Sequence, residues 1–131
     1  MSGGSGKKIV GVGSAPGMST TLSQGVIANG FLFVAGQIGI ERETGALREG
    51  IAAQARQALE NMKAVLDAAG VPLQNVVRVG VYYLDNTHSK IVQEIYKEFF
   101  PSEPPARTSV QAAPAKNALI EFDCIAVIPQ S

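Results

Sequence analysis

Cysteine and histidine are almost missing from this 131-residue chain: each occurs once, as Cys124 and His88. A single cysteine excludes an internal disulfide and a multi-cysteine zinc site, and one histidine leaves little from which to build a transition-metal centre. No metal and no other cofactor is expected, and the setting that fits is a reducing interior, cytoplasmic or organellar. A charge excess is also missing, since 11 Lys and Arg balance 11 Asp and Glu. Beyond the pair Lys7-Lys8 no basic cluster could track a phosphate backbone, so nucleic-acid binding is disfavoured. No apolar run approaches the ~20 residues of a membrane span, so no membrane partner is expected. The segment Met1-Ser2-Gly3-Gly4-Ser5-Gly6-Lys7-Lys8 has no hydrophobic stretch of the signal-peptide kind. Residues 1–8 are expected to form a flexible leader and 9–131 a single domain, long enough to bury a core without staples.

What is present is strong local patterning. Ile9 to Val12 reads as a short strand, followed by a loop through Ser14, Pro16 and Gly17. Gly25-Val26-Ile27-Ala28 and Phe31-Leu32-Phe33-Val34-Ala35 flank Asn29-Gly30, the pair that supplies both positive φ angles of a type I′ hairpin turn. Glu41 to Gly50 is a polar connection. Ile51, Ala55, Ala58, Leu59, Met62, Val65, Leu66 and Ala69 then recur at helical spacing, stopped by Gly70 and Pro72. Val76 to Leu84, rich in valine and tyrosine, predicts a strand inside the sheet. Asp85, Asn86 and Thr87 offer caps for a second helix with the apolar stripe Ile91, Val92, Ile95, Phe99 and Phe100, ended by Pro101. Strands near Thr108 to Gln111 and Leu119 to Ile128 complete an α+β arrangement of six strands with two helices on one sheet face. Two helices cover one face only, and the large apolar groups on the other predict packing against further subunits.

Candidate chemistry gathers near the C-terminal strands. Arg107 follows Pro104-Pro105-Ala106, whose rings stiffen the approach, and precedes Thr108-Ser109-Val110, which favour extended backbone. Arginine is mostly exposed, so alone it reads as a surface residue. In this frame its planar fork suits a small carboxylate. Glu121 and Asp123 share one face of the last strand, alternating with Ile120, Phe122 and Cys124. A partly buried carboxylate near an arginine meets the general-base requirement. Register leaves open which of the two acids faces Arg107, and from which subunit. Gly36 allows close approach of a ligand, or marks a bulge. The glycine-rich stretch Gly11 to Gly17 lacks the spacing of a dinucleotide or phosphate loop. Cys124 reads as core, and His88 has no evident triad partner.

Several motifs occur together: Ala15-Pro16, Ser23-Gln24-Gly25, Gly36-Gln37-Ile38, the strand from Val76 to Leu84, Val92 to Phe100 with Tyr96, Pro105-Ala106-Arg107, and Ile120-Glu121 with Ile125-Ala126-Val127. In this combination the chain resembles the Rid (YjgF) family of small enamine and imine deaminases over nearly its whole length. The resemblance implies a chorismate-mutase-like fold, a mixed six-stranded sheet with two helices packed on one face. It also implies a homotrimer with clefts between subunits, and cofactor-free hydrolysis of reactive 2-imino acids, such as 2-iminobutanoate and 2-iminopropanoate, to 2-oxo acids and ammonia. Carried over by position, Arg107 binds the substrate carboxylate, and Glu121 orients the attacking water and shuttles its proton. Gly36 contacts the ligand through backbone, and the backbone of Ser109 helps to hold the water.

The chain departs from that pattern at Leu22, where active members usually have tyrosine, and at Thr20 and Thr21, where they have glycine and proline. Gln93 replaces a common asparagine at a ligand-contacting position, Ser109 a common cysteine and Ala35 a common serine. Leu22 removes a hydroxyl from the cleft, which makes a ligand-binding regulatory trimer without turnover the first rival reading. Endoribonuclease or translation-inhibitor activity, sometimes ascribed to the family, is the second, and the neutral charge balance speaks against it.

Overall fold

A computed structural model describes residues 6–13 and 21–130. The loop expected at Ser14, Pro16 and Gly17, Thr20, and most of the leader lie outside these described residues. Six strands are ordered β1 (Lys8–Val10), β2 (Gly25–Ala28), β3 (Phe31–Ile38), β4 (Val76–Tyr83), β5 (Ala106–Gln111) and β6 (Ile120–Val127). Helix α1 (Ile51–Ala68) follows β3, and α2 (Ser89–Phe99) joins β4 to β5. The sheet runs β1-β2-β3-β6-β4-β5. Among the described residues only β4 and β5 pair in parallel, as the α2 crossover requires, and the other strand pairings are antiparallel.

Local chemistry accounts for the joints. Asn29 and Gly30 sit at φ 54° and 81°, the left-handed pair that lets β2 turn directly into β3. At the end of α1, Gly70 (φ 72°) donates to Asp67 O and Val71 donates to Leu66 O, the two bonds of a Schellman cap, with Val71 buried beneath it. Ahead of α2, the Asp85 carboxylate accepts from the backbone N–H (2.9 Å) and hydroxyl (2.7 Å) of Thr87, capping a 3-10 turn over Asn86–His88 rather than α2 itself. These bonds hold the Asp85 carboxyl below its ordinary pKa.

One hydrophobic core lies between the sheet and both helices. Leu32, Val34, Val79, Val81, Phe122 and Cys124 from the strands meet Ala58, Leu59, Met62, Val65 and Leu66 of α1 and Val92, Ile95 and Tyr96 of α2. Ile91 was expected in the α2 stripe but is 44% exposed, and Tyr96 takes the core-facing position instead. Ile91 lies one residue before Val92, about 100° around the helix, which carries it off the buried face.

Strand boundaries shift where pairing overrides local propensity. β1 begins at Lys8, which pairs with Ile27, and β5 begins at Ala106, so Arg107 stands within a strand rather than before one. β3 continues to Ile38, past the expected end at Ala35. Its register with β6 slips between Val34 and Gln37, a bulge that leaves Ala35 and Gly36 together opposite Asp123 while the ladder resumes beyond them. Two buried amides of α1 fix the chain just after this bulge. Asn61 donates to Ile38 O (3.0 Å) and Ile40 O (2.8 Å), and Gln54 bonds Arg48 O (2.9 Å) and the Leu119 N–H (2.8 Å).

On the face away from the helices, register places Ile9, Val26, Phe33 and Ile125 in one row across four strands. Ile9 and Phe33 are 55% and 44% exposed, and the ring of Phe31 lies 6.3 Å from that of Phe33. Among the described residues no helix is long and apolar enough to cross a membrane.

Candidate functional site

The residues singled out from the sequence fall into two groups. Arg107 lies on the outermost strand, where every residue of β5 is exposed. Its Nη2 donates to Gln93 Oε1 at 3.0 Å, and its guanidinium carbon stands 4.9 Å from the ring centre of Tyr96. Gln93 and Tyr96 are one turn apart on α2, so a single helix face holds the arginine at two points. Among the described residues no carboxylate lies within ion-pair reach of Arg107. Ser109 follows two positions on, on the same side of the strand and exposed.

The second group is at the β3 bulge. Glu121 alternates with the buried Ile120 and Phe122 and therefore stands on the open sheet face. Its carboxylate lies against Gly36: a β-carbon at residue 36 would stand 2.9 Å from Glu121 Cδ and would overlap Oε2. The Ala115 N–H donates to Glu121 Oε1 at 3.3 Å. Leu22, 53% exposed, lines a cavity of about 80 Å³ with Gln24, Ala35, Gly36 and Gln37.

Within one chain the groups are apart. Val79 pairs with both Arg107 and Cys124, whereas Tyr82 pairs with both Val110 and Glu121. Arg107 and Glu121 are thus two strands and three residues out of line, roughly 14 Å between Cα atoms at the usual strand spacings. Arg107 reaches the helix side and Glu121 the open side.

Sequence reasoning gave Glu121 and Asp123 similar standing, and their surroundings now differ. Asp123 Oδ1 accepts from the Gly80 N–H at 3.1 Å and Oδ2 from the Tyr82 hydroxyl at 2.8 Å. A β-carbon on Gly80 would overlap the Asp123 carboxylate and stand 2.7 Å from the Tyr82 oxygen, so the glycine makes the bond possible. The bond to Asp123, more than burial, raises the Tyr82 pKa. Asp123 is occupied internally, while Glu121 accepts one long backbone bond.

The role of Tyr96 was missed, because tyrosine reads as polar in a helical stripe. Its ring packs 4.8 Å from that of Phe100 and 6.4 Å from that of Phe122, and its buried hydroxyl has no hydrogen-bond partner among the described residues. Burial pushes its pKa up to about 12, against the opposing pull of Arg107. Cys124 is 3% exposed, and burial, with the Asp123 charge adding, pushes its thiol up to about 12. It stays protonated at neutral pH and is no nucleophile. Among the described residues no cluster of His, Cys, Asp and Glu could hold a metal ion.

Comparison with known proteins places these features in context. The profile of the family described as Endoribonuclease L-PSP matches residues 12–128. A RutC family protein of Pyrococcus horikoshii is 41% identical over 92% of this chain and 97% of its own. The 2-iminobutanoate/2-iminopropanoate deaminase of Homo sapiens is 37% identical over 92% of this chain and 90% of its own. Among solved structures, RidA of an Antarctic Psychrobacter superposes with a TM-score of 0.88 at 34% identity, covering 92% of this chain and 99% of that one. TdcF of E. coli, solved with bound serine, gives 0.86 at 33% identity, covering 93% and 99%. Matched over residues 12–128 by the family profile and over 92% of its length by relatives in sequence and in shape, this chain belongs to the endoribonuclease L-PSP family, that of the Rid (YjgF) and RutC proteins.

Proposed function

We propose that this protein hydrolyses 2-imino acids to 2-oxo acids and ammonia, acting as a homotrimer with its clefts between subunits. The observation that carries the reading is Arg107, a guanidinium fixed by Gln93 and Tyr96 yet with no carboxylate in ion-pair reach among the described residues. The deaminase name of relatives about 37% identical supports the reaction. The apolar row on the open sheet face supports assembly, because a surface of that kind marks an interface. Separation of Arg107 and Glu121 within one chain supports a shared cleft, in which one subunit supplies the arginine and its neighbour the glutamate.

In such a cleft Arg107 takes the substrate carboxylate through two parallel N–H bonds. The protonated imine carbon is already electrophilic, so positioning and a base suffice. Glu121 takes a proton from water as its oxygen bonds to C2 and the C=N π electrons move to nitrogen. The proton then passes to the amine nitrogen of the tetrahedral intermediate, the C–N bond breaks while Glu121 takes the remaining hydroxyl proton, and ammonia leaves as the 2-oxo acid forms. Gly36 leaves room for the Glu121 carboxylate and presents backbone beside it, and Ser109 offers backbone near Arg107.

A second reading has one observation in its favour: Leu22 puts an apolar side chain, 53% exposed, beside Gly36. A trimer that binds 2-oxo acids without turnover would fit it.

The test generates 2-iminobutanoate with an amino-acid oxidase, traps it with semicarbazide, and compares wild type with Arg107→Ala. Acceleration by wild type that the variant lacks is expected. Binding of 2-oxobutanoate with imine decay at background would instead establish the non-catalytic trimer.

A further inference from the structure

Beside Arg107 lies a cleft of about 690 Å³, open to the surface and within the size range of ligand sites. A four-carbon imino acid, with seven non-hydrogen atoms, fills a small part of it. Beside Gln93, Lys97 and Arg107 its wall is apolar: Tyr96, Phe100 just past the end of α2, and Pro101, Pro104 and Pro105 on the segment entering β5. These walls are rigid. Tyr96 and Phe100 are buried with their rings packed on each other, and proline has little conformational freedom to lose. Of the charged groups at the cavity, Lys97 and Arg107 are cations, and no acid lines it.

We infer that the cavity is a side-chain pocket and that the protein acts on 2-imino acids bearing a bulky apolar group, aromatic or branched, in preference to the smallest ones. The inference rests on the reading of Arg107 as the carboxylate clamp. With the carboxylate on the guanidinium, the carbon chain of the substrate can extend past the accessible edges of Tyr96 and Phe100 toward Pro104 and Pro105. Apolar area is removed from water there at little cost in ordering, because the walls are already in place. A cationic side chain is rejected by Lys97 and Arg107 and finds no carboxylate to pair with. Lys97 is exposed on the rim, where its stem adds apolar surface and its ammonium remains in water.

Binding of 2-oxo acids reads the pocket independently of turnover. Dissociation constants would be measured for 3-phenyl-2-oxopropanoate, 2-oxobutanoate and 2-oxoglutarate, alongside kcat/KM for the phenyl and the four-carbon imines. The expected result favours the phenyl compound over the four-carbon one by about tenfold or more in affinity, the scale of discrimination an apolar pocket supplies. Pro104→Trp, at an exposed position on the wall, should then lower the phenyl-to-small ratio by a similar factor. Equal or tighter binding of 2-oxobutanoate overturns the inference, as does a phenyl preference that survives Pro104→Trp. Tightest binding by 2-oxoglutarate, abolished in Lys97→Glu, also overturns it, in favour of a dicarboxylate. If phenyl binding is tight and Pro104-dependent while no imine is hydrolysed faster than background, the pocket stands and the deaminase reading fails.

Discussion

The carboxylate of Glu121 occupies the space that a β-carbon on Gly36 would need. The bulge in β3 brings the backbone of residue 36 under the glutamate of the neighbouring strand, and only the missing side chain lets the acid lie there. Gly36→Ala should therefore displace Glu121 rather than unfold the protein, since the displaced atoms are the far end of a flexible side chain. A fall of about 10²-fold in imine hydrolysis is expected, the usual consequence of misplacing a reacting group by about 1 Å. Steady-state kinetics beside a thermal melt would decide; unchanged kcat in a well-folded variant would dissociate Glu121 from the chemistry.

Arg107→Lys keeps the charge and loses the fork. The lysine ammonium cannot bond Gln93 and a carboxylate in one plane, so the affinity for 2-oxo acids should drop by about 10- to 100-fold, as for loss of a charged hydrogen bond worth about 1.5–3 kcal/mol. Calorimetric titration with 2-oxobutanoate reads this directly. Equal affinity would mean a point charge is enough.

The buried Tyr96 hydroxyl, without a partner among the described residues, is a source of instability. Tyr96→Phe keeps the ring beneath Arg107 and should stabilise the fold by about 1 kcal/mol by removing an unsatisfied polar group. The alkaline limb supplies a second readout. Because the folded pKa lies near 12, above the ordinary 10.0, the associated stability is complete below pH 10 and is lost as pH rises toward 12. The variant should lose stability less steeply over that window, with a residual slope from Tyr82 and Tyr83, whose values are also raised. Urea unfolding at pH 7 and pH 11 gives both quantities, and a destabilised variant would reveal a hydrogen bond made by that hydroxyl.

Phe33→Glu places a charge in the middle of the apolar row formed with Ile9, Val26 and Ile125. Wild type should scatter light as a trimer and the variant as a monomer, with loss of imine hydrolysis although Arg107 and Glu121 are untouched. An active monomer would contradict the shared cleft.

Local signals carried most of the fold. Asn29-Gly30 announced its hairpin, Gly70 with Pro72 the end of α1, and the alternation from Ile120 to Ala126 the two faces of β6. Long-range pairing was not legible, since nothing in β6 states that it inserts between β3 and β4. That insertion separates Arg107 from Glu121, so their relation could be read only from the register. A bulge at Gly36 was one of the readings the sequence left open, but not that the strand read as ending at Ala35 resumes because β6 continues beside it. Conversely, Ile91 looked like core because it is apolar, although the helix turns it outward. Tyr96 entered through the family resemblance, and its hold on Arg107 depends on the packing of α2 over the edge of the sheet.

Cys124 sits on β6 between Val34 of β3 and Val79 of β4, with its side chain in the core between sheet and helices. A thiol reagent reaches its sulfur only when that core opens, by the helices lifting from the sheet or the strands parting. Because it is also the chain's one cysteine, alkylation of the native protein reads at a single position how often the core between sheet and helices opens. The molecule thus carries its own clock for opening, readable by mass spectrometry with no residue changed.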